Sequence, residues 1–486
     1  MHHILIETKG LEKRMALLHG EKLLECHMFR PEKSPKAGQI YKGKVQKVQP
    51  GMQAAFIDIG KERNGFIHRD ELPGFQEMPK EQQKHASISQ LLTQGQELLV
   101  QVIKEEAGDK GARLTGILSY TGDNLVYFPS GSYIGVSKKM AGDSRDRWRE
   151  WGEEIRIGSE GMVLRTSCEK AGEKAVAEEL DRLRLEHKRL ITAAKEKKPP
   201  CLLKEEPFYV SFLKKWSSIS SRVTVDDAEV LRSVQKLHAG DVQLHHGTMP
   251  LFEAWNIDNE LKEASSPNVV LQNGASMVIE HTEAMTVIDV NSGMYTGKAD
   301  RDQTVLQVNV AAANEIARQL RLRSIGGMIA IDFITMKSKD HQRAVEERMS
   351  VLMKEDPVTT VLHGFSAMGV FEMTRKKERP PIRDFLPHSR NLKSEEKEQE
   401  HLKAQFFSFD RFLLSLQYDE AEAIWIQLSP KLYHVISDMY GLYEPEWNKK
   451  HPWKLYLTVN EDEPYYSLRQ KGTIDEMEAR ISKELG

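Results

Sequence analysis

The segment from Met285 to Phe333 constrains the fold more than any other part of the sequence. It contains two short apolar stretches that each carry one aspartate, Ile288-Asp289-Val290 and Ile331-Asp332-Phe333. Between them, apolar residues recur at helical spacing: Val305, Val308, Ala312, Ile316 and Leu320. The pattern predicts two parallel strands joined through a helix in a right-handed crossover. Both aspartates would then lie at the carboxyl edge of a sheet, where open α/β sheets place their sites.

Two carboxylates at one sheet edge repel each other unless a cation lies between them. Oxygen ligands favour Mg²⁺, and Mn²⁺ can substitute for it. A single aspartate at a strand end is usually a turn or helix cap. Asp289 and Asp332 lie in matching settings, however, and Asn291 follows the first. The pattern therefore favours a metal site, although it does not specify a reaction.

The composition indicates a globular chain of several domains, with 40% hydrophobic residues among 486. We expect a cytoplasmic protein, because no apolar run approaches the length of a membrane span and the first residues lack a signal-peptide core. Cys26, Cys168 and Cys201 form neither a disulfide framework nor a zinc spacing. The net charge of −3 gives no overall indication of nucleic acid binding, so any such surface has to be local.

Residues 36–118 contain short strands separated by Gly, Pro and charged turns, which predicts a small β-barrel. Phe56 and Phe66 lie on successive strands, and Lys42, Lys44 and Lys110 are near them in the sequence. Aromatic rings that stack on bases and cations that bind phosphates would form a single-strand-binding face. From the pattern alone, two core phenylalanines are the more common alternative.

Four strings closely resemble the catalytic subdomain of the ribonuclease E/G family: VIDVNSG, NEIARQLRLRSIGGMIAIDFITM, HQRAVEERM and GVFEMTRKK. The resemblance implies that Asp289 and Asp332 bind Mg²⁺ and that Asn291 helps to position the reacting phosphate. The chain departs from the family at Thr335, where the usual string IDFIDM has an aspartate. Its length is similar to that of the shorter ribonuclease G branch.

The resemblance also implies an α/β multidomain architecture. An RNase H-like subdomain (1–35 and 206–275) would be interrupted by an S1 barrel of the OB-fold type (36–118) and a 5′-sensor subdomain (119–205). A DNase I-like catalytic α/β subdomain (276–387) would follow, and then a linker and a small C-terminal α/β domain (388–486).

The resemblance assigns further site residues within these domains. Phe56, Phe66 and Lys110 match the RNA-contacting positions of the S1 domain, and with the resemblance the RNA-binding interpretation prevails. Arg165 and Thr166 match a pair that senses the 5′-monophosphate of RNA. Thr359 lies where the family usually has a further arginine of that pocket.

Several other segments give local predictions. Residues 1–35 are predicted as a hairpin of two strands, and FYVSFLKK as a strand. His245-His246 lack a third ligand, so we interpret them as ordinary surface or core histidines. The basic run at residues 375–383 is either solvated or a grip on the RNA backbone. Trp447 and Trp453 are expected in a core.

The sequence thus predicts a Mg²⁺-dependent endoribonuclease that cleaves single-stranded RNA to 5′-monophosphate and 3′-hydroxyl ends, in ribosomal RNA processing and messenger RNA decay. The alternatives are a non-catalytic S1-type RNA-binding protein that retains the fold and, less favoured, a degradation scaffold. The family's usual Cys-Pro-x-Cys motif is absent after Pro387. We therefore expect no structural zinc, and a homo-oligomer would have to form through the C-terminal domain.

Overall fold

The chain divides into two compact units, one of Met1–Pro31 with Phe208–Gly486 and one of Glu32–Pro207. The computed structural model describes residues 2–30, 35–105, 110–216, 220–238, 240–282, 284–293, 301–386, 395–416, 420–447 and 452–485. No helix in these ranges is both long and apolar enough to cross a bilayer.

The chain begins with three antiparallel strands, β1 (His2–Glu7), β2 (Lys13–His19) and β3 (Lys22–Phe29). The predicted hairpin of two strands is therefore wrong. Gly20 adopts a φ of +63° and turns the chain within the second apolar stretch. Glycine reaches this left-handed conformation without steric cost, so the stretch is divided into β2 and β3.

A closed barrel follows. Its strands are β4 (Ile40–Gln49), β5 (Ala54–Asp58), β6 (Gly65–His68), β7 (Glu97–Lys104) and β8 (Arg113–Thr115), with short helices α1 (Pro73–Gln76), α2 (Lys80–Gln83) and α3 (Ile88–Leu91) before β7. Pairing of β4 with β7 closes the sheet. The buried side chains Val45, Ile57, Ile67, Val100 and Leu114 fill the interior. The predicted small β-barrel is thus confirmed.

The same unit continues with a four-stranded sheet in the order β11-β12-β10-β9. Its elements are β9 (Tyr120–Thr121), β10 (Leu125–Phe128), β11 (Ile134–Val136), α4 (Gly142–Ile155), β12 (Gly161–Leu164) and the long α5 (Cys168–Glu196). Strand β13 (Cys201–Lys204) then pairs with β4 of the barrel. Apolar side chains of α4, α5 and the sheet share one core, among them Trp148, Leu180 and Met162.

The other unit resumes with α6 (Phe208–Trp216), β14 (Ser220–Val225), α7 (Ala228–Gln235), β15 (Asp241–Leu244), α8 (Leu251–Ala254) and α9 (Ile257–Ser265). Strand β14 lies parallel to both β1 and β15, which gives a five-stranded sheet in the order β15-β14-β1-β2-β3. The predicted strand FYVSFLKK is wrong, because this segment forms α6. Its buried residues Tyr209, Phe212, Leu213 and Trp216 are spaced i, i+3, i+4 and i+7, which is the period of a helix.

A six-stranded sheet in the order β16-β17-β18-β19-β21-β20 contains the segment 285–333 with its two aspartates. Its elements are β16 (Asn268–Val270), β17 (Ser276–His281), β18 (Met285–Asn291), α10 (Arg301–Leu322), β19 (Gly327–Asp332), α11 (Lys339–Glu355), β20 (Thr360–Phe365) and β21 (Phe371–Arg375). Strands β18 and β19 are parallel and α10 joins them, as predicted. Apolar residues of α10 and α11 share one core with the inward side chains of the strands.

The C-terminal part of this unit places helices around a three-stranded sheet. It comprises α12 (Glu395–Ser415), β22 (Ala423–Leu428), α13 (Pro430–Trp447), β23 (Lys454–Val459), β24 (Tyr466–Gly472) and α14 (Ile474–Leu485), with β22 at the centre of the sheet. Trp453 is buried in its core, and the indole N–H donates to the carbonyl oxygen of Leu416 at 3.0 Å. The predicted core position of Trp453 is confirmed, whereas the side chain of Trp447 and residues 387–394 lie outside the described residues.

Candidate functional site

Asp289 and Asp332 lie directly opposite each other on the parallel strands β18 and β19. Both residues are exposed, and their strand neighbours Ile288, Val290 and Ile331 are buried on the helix-covered side. The alternation of inward and outward side chains along a strand therefore places both carboxylates on the face opposite α10 and α11. The sequence pattern brought these two residues together correctly.

Asn291 lies on the same face, two residues after Asp289. Its amide nitrogen Nδ2 donates a hydrogen bond to Oδ2 of Asp289 at 2.8 Å. The strand then ends in a turn at Gly293, with φ of +56°, where an added Cβ would lie 2.5 Å from the carbonyl oxygen of Gly274. Because any side chain at residue 293 would clash with Gly274, only glycine fits this position in the turn directly after Asn291.

Asn309 holds the backbone beside the candidate site, a role that the sequence did not predict. It lies on α10 and is fully buried. Its Nδ2 donates to the carbonyl oxygen of Ile334 at 2.8 Å, and its Oδ1 accepts from the N–H of Ile334 at 3.1 Å. These two bonds fix the backbone two residues beyond Asp332. The signal in the sequence was a single asparagine within the apolar pattern of the predicted helix.

The donor set at this edge fits a hard divalent cation. It consists of two carboxylates, whose oxygens would bind the metal, with the amide group of Asn291 beside them. Neither carboxylate has a cationic partner among the described residues. No third acidic or histidine side chain in the described ranges joins them as a possible ligand. This matches the usual Mg²⁺ site, in which one or two carboxylates are supplemented by waters and substrate phosphates.

The barrel presents Phe56 and Phe66 side by side, in register on β5 and β6. Their ring centroids are 6.0 Å apart and the ring planes meet at 70°. Both residues are half-buried and neither belongs to the barrel core. Lys110 is exposed at the approach to β8. The arrangement leaves two aromatic surfaces accessible for stacking.

The structure revises the role of one barrel cation and adds another. The Nζ of Lys42 lies 2.9 Å from a carboxylate oxygen of Glu97 and also donates to a backbone carbonyl at 2.9 Å, so that side chain is already engaged. Arg113, which the sequence analysis did not single out, is exposed and lies directly opposite Phe66 on β8. Its position became evident only from the register of the strands.

Arg165 and Thr166 are exposed between β12 and α5. The N–H of Arg165 donates to the carbonyl oxygen of Asn124 at 2.8 Å. The carboxylate of Glu179, buried on α5, accepts hydrogen bonds from the backbone N–H of Asp123 and from the Asn124 side chain. The turn that carries Arg165 and Thr166 is therefore anchored to the long helix.

The basic run at residues 375–383 does not form one cationic surface. Arg375 is buried and forms an ion pair with Asp356, with 2.9 Å between Nε and Oδ2. Arg379 donates to Glu25 at 2.8 Å. We predicted that the run is either solvated or binds the RNA backbone. Neither role describes these two arginines, because both form ion pairs within the fold. Lys376 and Lys377 are exposed.

The two adjacent histidines carry no sign of a metal site in the described residues. His245 uses Nε2 in a hydrogen bond with the carbonyl oxygen of Met249 at 2.8 Å, and His246 is exposed. Both positions agree with ordinary surface histidines.

Comparison with known proteins identifies two family models in the chain. The model of the ribonuclease E/G family matches residues 119–378, and that of the S1 RNA binding domain matches residues 34–115. Ribonuclease G of Escherichia coli (strain K12) is 36% identical over 401 residues, which cover 79% of this chain and 81% of that protein. Ribonuclease G of Haemophilus influenzae is 32% identical over 407 residues, with the same coverage.

Ribonuclease E of Escherichia coli (strain K12) is 34% identical over 396 residues, which cover 78% of this chain but 37% of that longer protein. The identity and coverage of the ribonuclease G relatives, together with a family model that spans more than half of the chain, settle the assignment. The chain belongs to the ribonuclease E/G family, a family of metal-dependent nucleases, and is an endoribonuclease of that type with an RNA-binding S1 domain.

Proposed function

We propose that this chain is a Mg²⁺-dependent endoribonuclease that hydrolyses single-stranded RNA and leaves 5′-monophosphate and 3′-hydroxyl ends. Asp289 and Asp332 would hold the metal, and Asn291 would position the scissile phosphate. One observation carries the proposal: the two aspartates lie in register on adjacent parallel strands, on an exposed face and without a cationic partner among the described residues. Two uncompensated carboxylates side by side on adjacent strands favour a divalent cation.

When bound, Mg²⁺ would supply a Lewis acid for the phosphate and lower the pKa of a coordinated water. The protein side chains provide the geometry. One N–H of the Asn291 amide is already donated to Asp289, which holds the amide in place. The second N–H remains for a phosphate oxygen, since the amide nitrogen carries two donors. In-line attack by water then breaks the bond to the 3′ oxygen.

The barrel face would hold the single-stranded substrate. Phe56 and Phe66 would stack on bases and Lys110 would neutralise a phosphate, which is how OB-type domains bind single strands. Arg165 and Thr166 would bind a terminal 5′-monophosphate through a guanidinium fork and a hydroxyl. Because Thr359 replaces a usual arginine, we expect either a weaker preference for that end than in relatives that have the arginine, or a pocket completed by another cation.

The family resemblance supports the following subdomains. The RNase H-like part would comprise residues 1–35 and 206–275, interrupted by the S1 domain at 36–118 and the 5′ sensor at 119–205. The DNase I-like part would comprise 276–387, and the linker and small C-terminal domain 388–486. The cellular roles we propose are ribosomal RNA processing and messenger RNA decay in the cytoplasm.

The test is cleavage of a 5′-monophosphorylated, A/U-rich, unstructured RNA in the presence and absence of Mg²⁺. Asp289→Asn and Asp332→Asn should each abolish cleavage and leave RNA binding nearly unchanged, because each removes one anionic ligand and neither touches the barrel face. Asp340→Asn, an exposed carboxylate at the start of α11, is the matched control and should cleave like the wild type. Turnover close to the wild-type value in either ligand variant would refute the metal assignment.

A further inference from the structure

The turn that joins β9 to β10 (residues 122–124, the β9–β10 turn) contacts the segment that carries Arg165. The carbonyl oxygen of Asn124 accepts a hydrogen bond from the backbone N–H of Arg165 at 2.8 Å. The carbonyl oxygen of Asp123 accepts one from the Oγ of Ser167 at 3.0 Å. The position of Arg165 is therefore coupled to the position of the β9–β10 turn.

The segment with Arg165 is not fixed by the long helix through the chain itself. Gly172 has a φ of +78° and interrupts α5, so the residues before it form a separate turn. The backbone N–H of Cys168 donates to the carbonyl oxygen of Arg165 at 3.0 Å, which closes that turn locally. Its orientation therefore relies on contacts with the β9–β10 turn, among them a bond from the Sγ of Cys168 to the carbonyl oxygen of Asn124 at 3.1 Å.

Glu179 holds the β9–β10 turn from the helix side. It lies on α5 beyond the interruption and is 4% exposed. Its carboxylate accepts from the backbone N–H of Asp123, from the backbone N–H of Asn124 at 3.1 Å and from Nδ2 of Asn124 at 2.8 Å. An added Cβ at Gly122 would overlap Oε1 of Glu179, so the turn packs directly on the carboxylate.

The surroundings of Glu179 make these hydrogen bonds strong. The carboxylate has no cationic partner within the described part of the chain. A buried charge is costly unless hydrogen bonds compensate it, and here the N–H groups of one turn provide the compensation. Hydrogen bonds to a charged group are roughly twice as strong as those between neutral groups. Glu179 therefore keeps the β9–β10 turn in one position relative to the helix.

We propose that Glu179 is a positioning residue for recognition of the 5′ end of the RNA. Through the β9–β10 turn it holds Arg165 and Thr166 where a guanidinium and a hydroxyl can bind the same terminal phosphate. The inference rests on the proposed function, because it takes these two exposed residues to bind the 5′-monophosphate. Glu179 is buried and does not touch the RNA. Its loss should therefore change the preference for the 5′ end and leave the cleavage step at Asp289 and Asp332 intact.

The experiment measures kcat/KM of the full chain for two unstructured RNAs that differ only in a 5′-monophosphate or a 5′-hydroxyl. Glu179→Gln should reduce the preference for the monophosphate by about threefold or more, since a misplacement of 1 Å can cost up to ~100-fold. The reason is that the amide nitrogen of glutamine cannot accept a hydrogen bond from the N–H groups of the turn. The loss should appear as a higher KM for the monophosphorylated RNA, with kcat and the cleavage of the hydroxyl RNA unchanged.

Glu178→Gln is the matched control, because Glu178 is the exposed neighbour on the same helix, and it should keep the wild-type preference. Asn124→Ala removes only the side-chain bond to Glu179 and should lower the preference to a smaller extent. It provides the comparison if Glu179→Gln does not fold. In a protein that already carries Arg165→Ala, Glu179→Gln should cause no further loss of preference, because Glu179 acts through that arginine.

A second measurement does not depend on cleavage. In the Asp332→Asn background, the binding of the two RNAs should show the same loss of preference when Glu179→Gln is added. A preference unchanged by Glu179→Gln and by Asn124→Ala would overturn the positioning role. An equal loss of activity on both RNAs with a lowered urea midpoint would also overturn it, because a purely structural residue has that effect. A wild type that treats the two RNAs alike would in addition refute the 5′-phosphate pocket at Arg165 in the proposed function.

Discussion

Phe56 tests the barrel face at the scale of one residue. Phe56→Ala should weaken RNA binding by about tenfold or more, because stacking on one base contributes about 1–3 kcal/mol. Folding should be preserved, since the ring lies outside the barrel core. Binding is measured by fluorescence anisotropy with a labelled single strand, with Tyr133→Ala, an aromatic side chain that is 66% exposed outside the barrel, as the control. Wild-type affinity of the folded variant together with a lowered unfolding midpoint would show that Phe56 is a core residue.

The variant Asn309→Ala tests whether hydrogen bonds to Ile334 stabilise the backbone beyond Asp332. Asn309→Ala leaves the N–H and C=O of Ile334 without partners, which should cost roughly 1–3 kcal/mol of stability. If Asn309 also positions the carboxylate, the Mg²⁺ concentration for half-maximal cleavage should rise, while metal-free RNA binding should stay constant. A purely structural role would lower stability alone. Asn314→Ala, on the same helix, should leave the Mg²⁺ requirement unchanged.

The two aspartates of the candidate site could be predicted from the sequence, whereas the contacts that position the surrounding backbone could not. Asp289 and Asp332 could be brought together because a strand, a helix and a strand of that spacing have one common topology. Asn309 could not be assigned a role, since a polar residue in an apolar helical pattern indicates a buried partner but not which one. Arg113 was missed because its place opposite Phe66 depends on strand register, which no local pattern specifies.

At the scale of elements, two sequence predictions were wrong. One misjudged the spacing of apolar residues in a helix, and the other misjudged the role of clustered cations. The segment that became α6 was predicted as a strand, although its buried residues follow the helical period. The basic run at residues 375–383 looked like a surface in the sequence. In the fold, Arg375 forms an ion pair with Asp356, 19 residues away, and Arg379 forms one with Glu25, 354 residues away. A sequence shows that cations are clustered, but only the fold shows which acids they meet.

Glu25 links strand β3, helix α6 and the segment after β21 through ion pairs. Its carboxylate, on β3, contacts His27 at 2.6 Å, Lys215 of α6 at 2.9 Å and Arg379 at 2.8 Å. Burial alone would raise the pKa of Glu25, but the hydrogen bond with His27 and the two cations outweigh it and hold the pKa well below its usual range. Burial lowers the pKa of His27 to about 4, and the bond to Glu25 opposes this only in part. His27 is thus neutral in the fold at pH 7.

Stability should therefore decrease on mild acidification. In the unfolded chain His27 takes up a proton as the pH falls through 6.5, whereas in the fold it does so only near pH 4. Its contribution is complete above pH 6.5 and is lost progressively down to pH 4, by about 2 kcal/mol between pH 7 and 5. Urea titrations at the two pH values measure the total loss, of which the part due to His27 is obtained by comparison with a variant that lacks it.

His27→Asn should reduce the pH dependence, because the titrating group is gone. His246→Asn, at an exposed histidine of the same unit, should retain the wild-type dependence. Equal pH dependence in the wild type and in His27→Asn would show that other groups cause the loss.

Assembly belongs to the scale of the whole molecule. The described cysteines are all free, and Cys26 and Cys168 are buried. With no cysteine after Pro387 in the sequence, a subunit link through zinc thiolates cannot form there. We predict that a strong zinc chelator, with Mg²⁺ resupplied, changes neither the mass in solution nor the activity. Stoichiometric zinc, or dissociation on its removal, would mean that non-thiol ligands such as His388 replace the cysteines.

The parallel pairing of β1 with β14 can form only late in the synthesis of the chain. His3 on β1 donates or accepts a hydrogen bond with Thr224, 221 residues later in the chain. At about 5–20 residues per second, the ribosome needs roughly 10–40 s to supply that partner. During this time the whole of Glu32–Pro207 has been made and can fold, while β1 to β3 wait with an unpaired edge. We therefore expect the nascent chain to present an open strand edge to aggregation until β14 has left the ribosome.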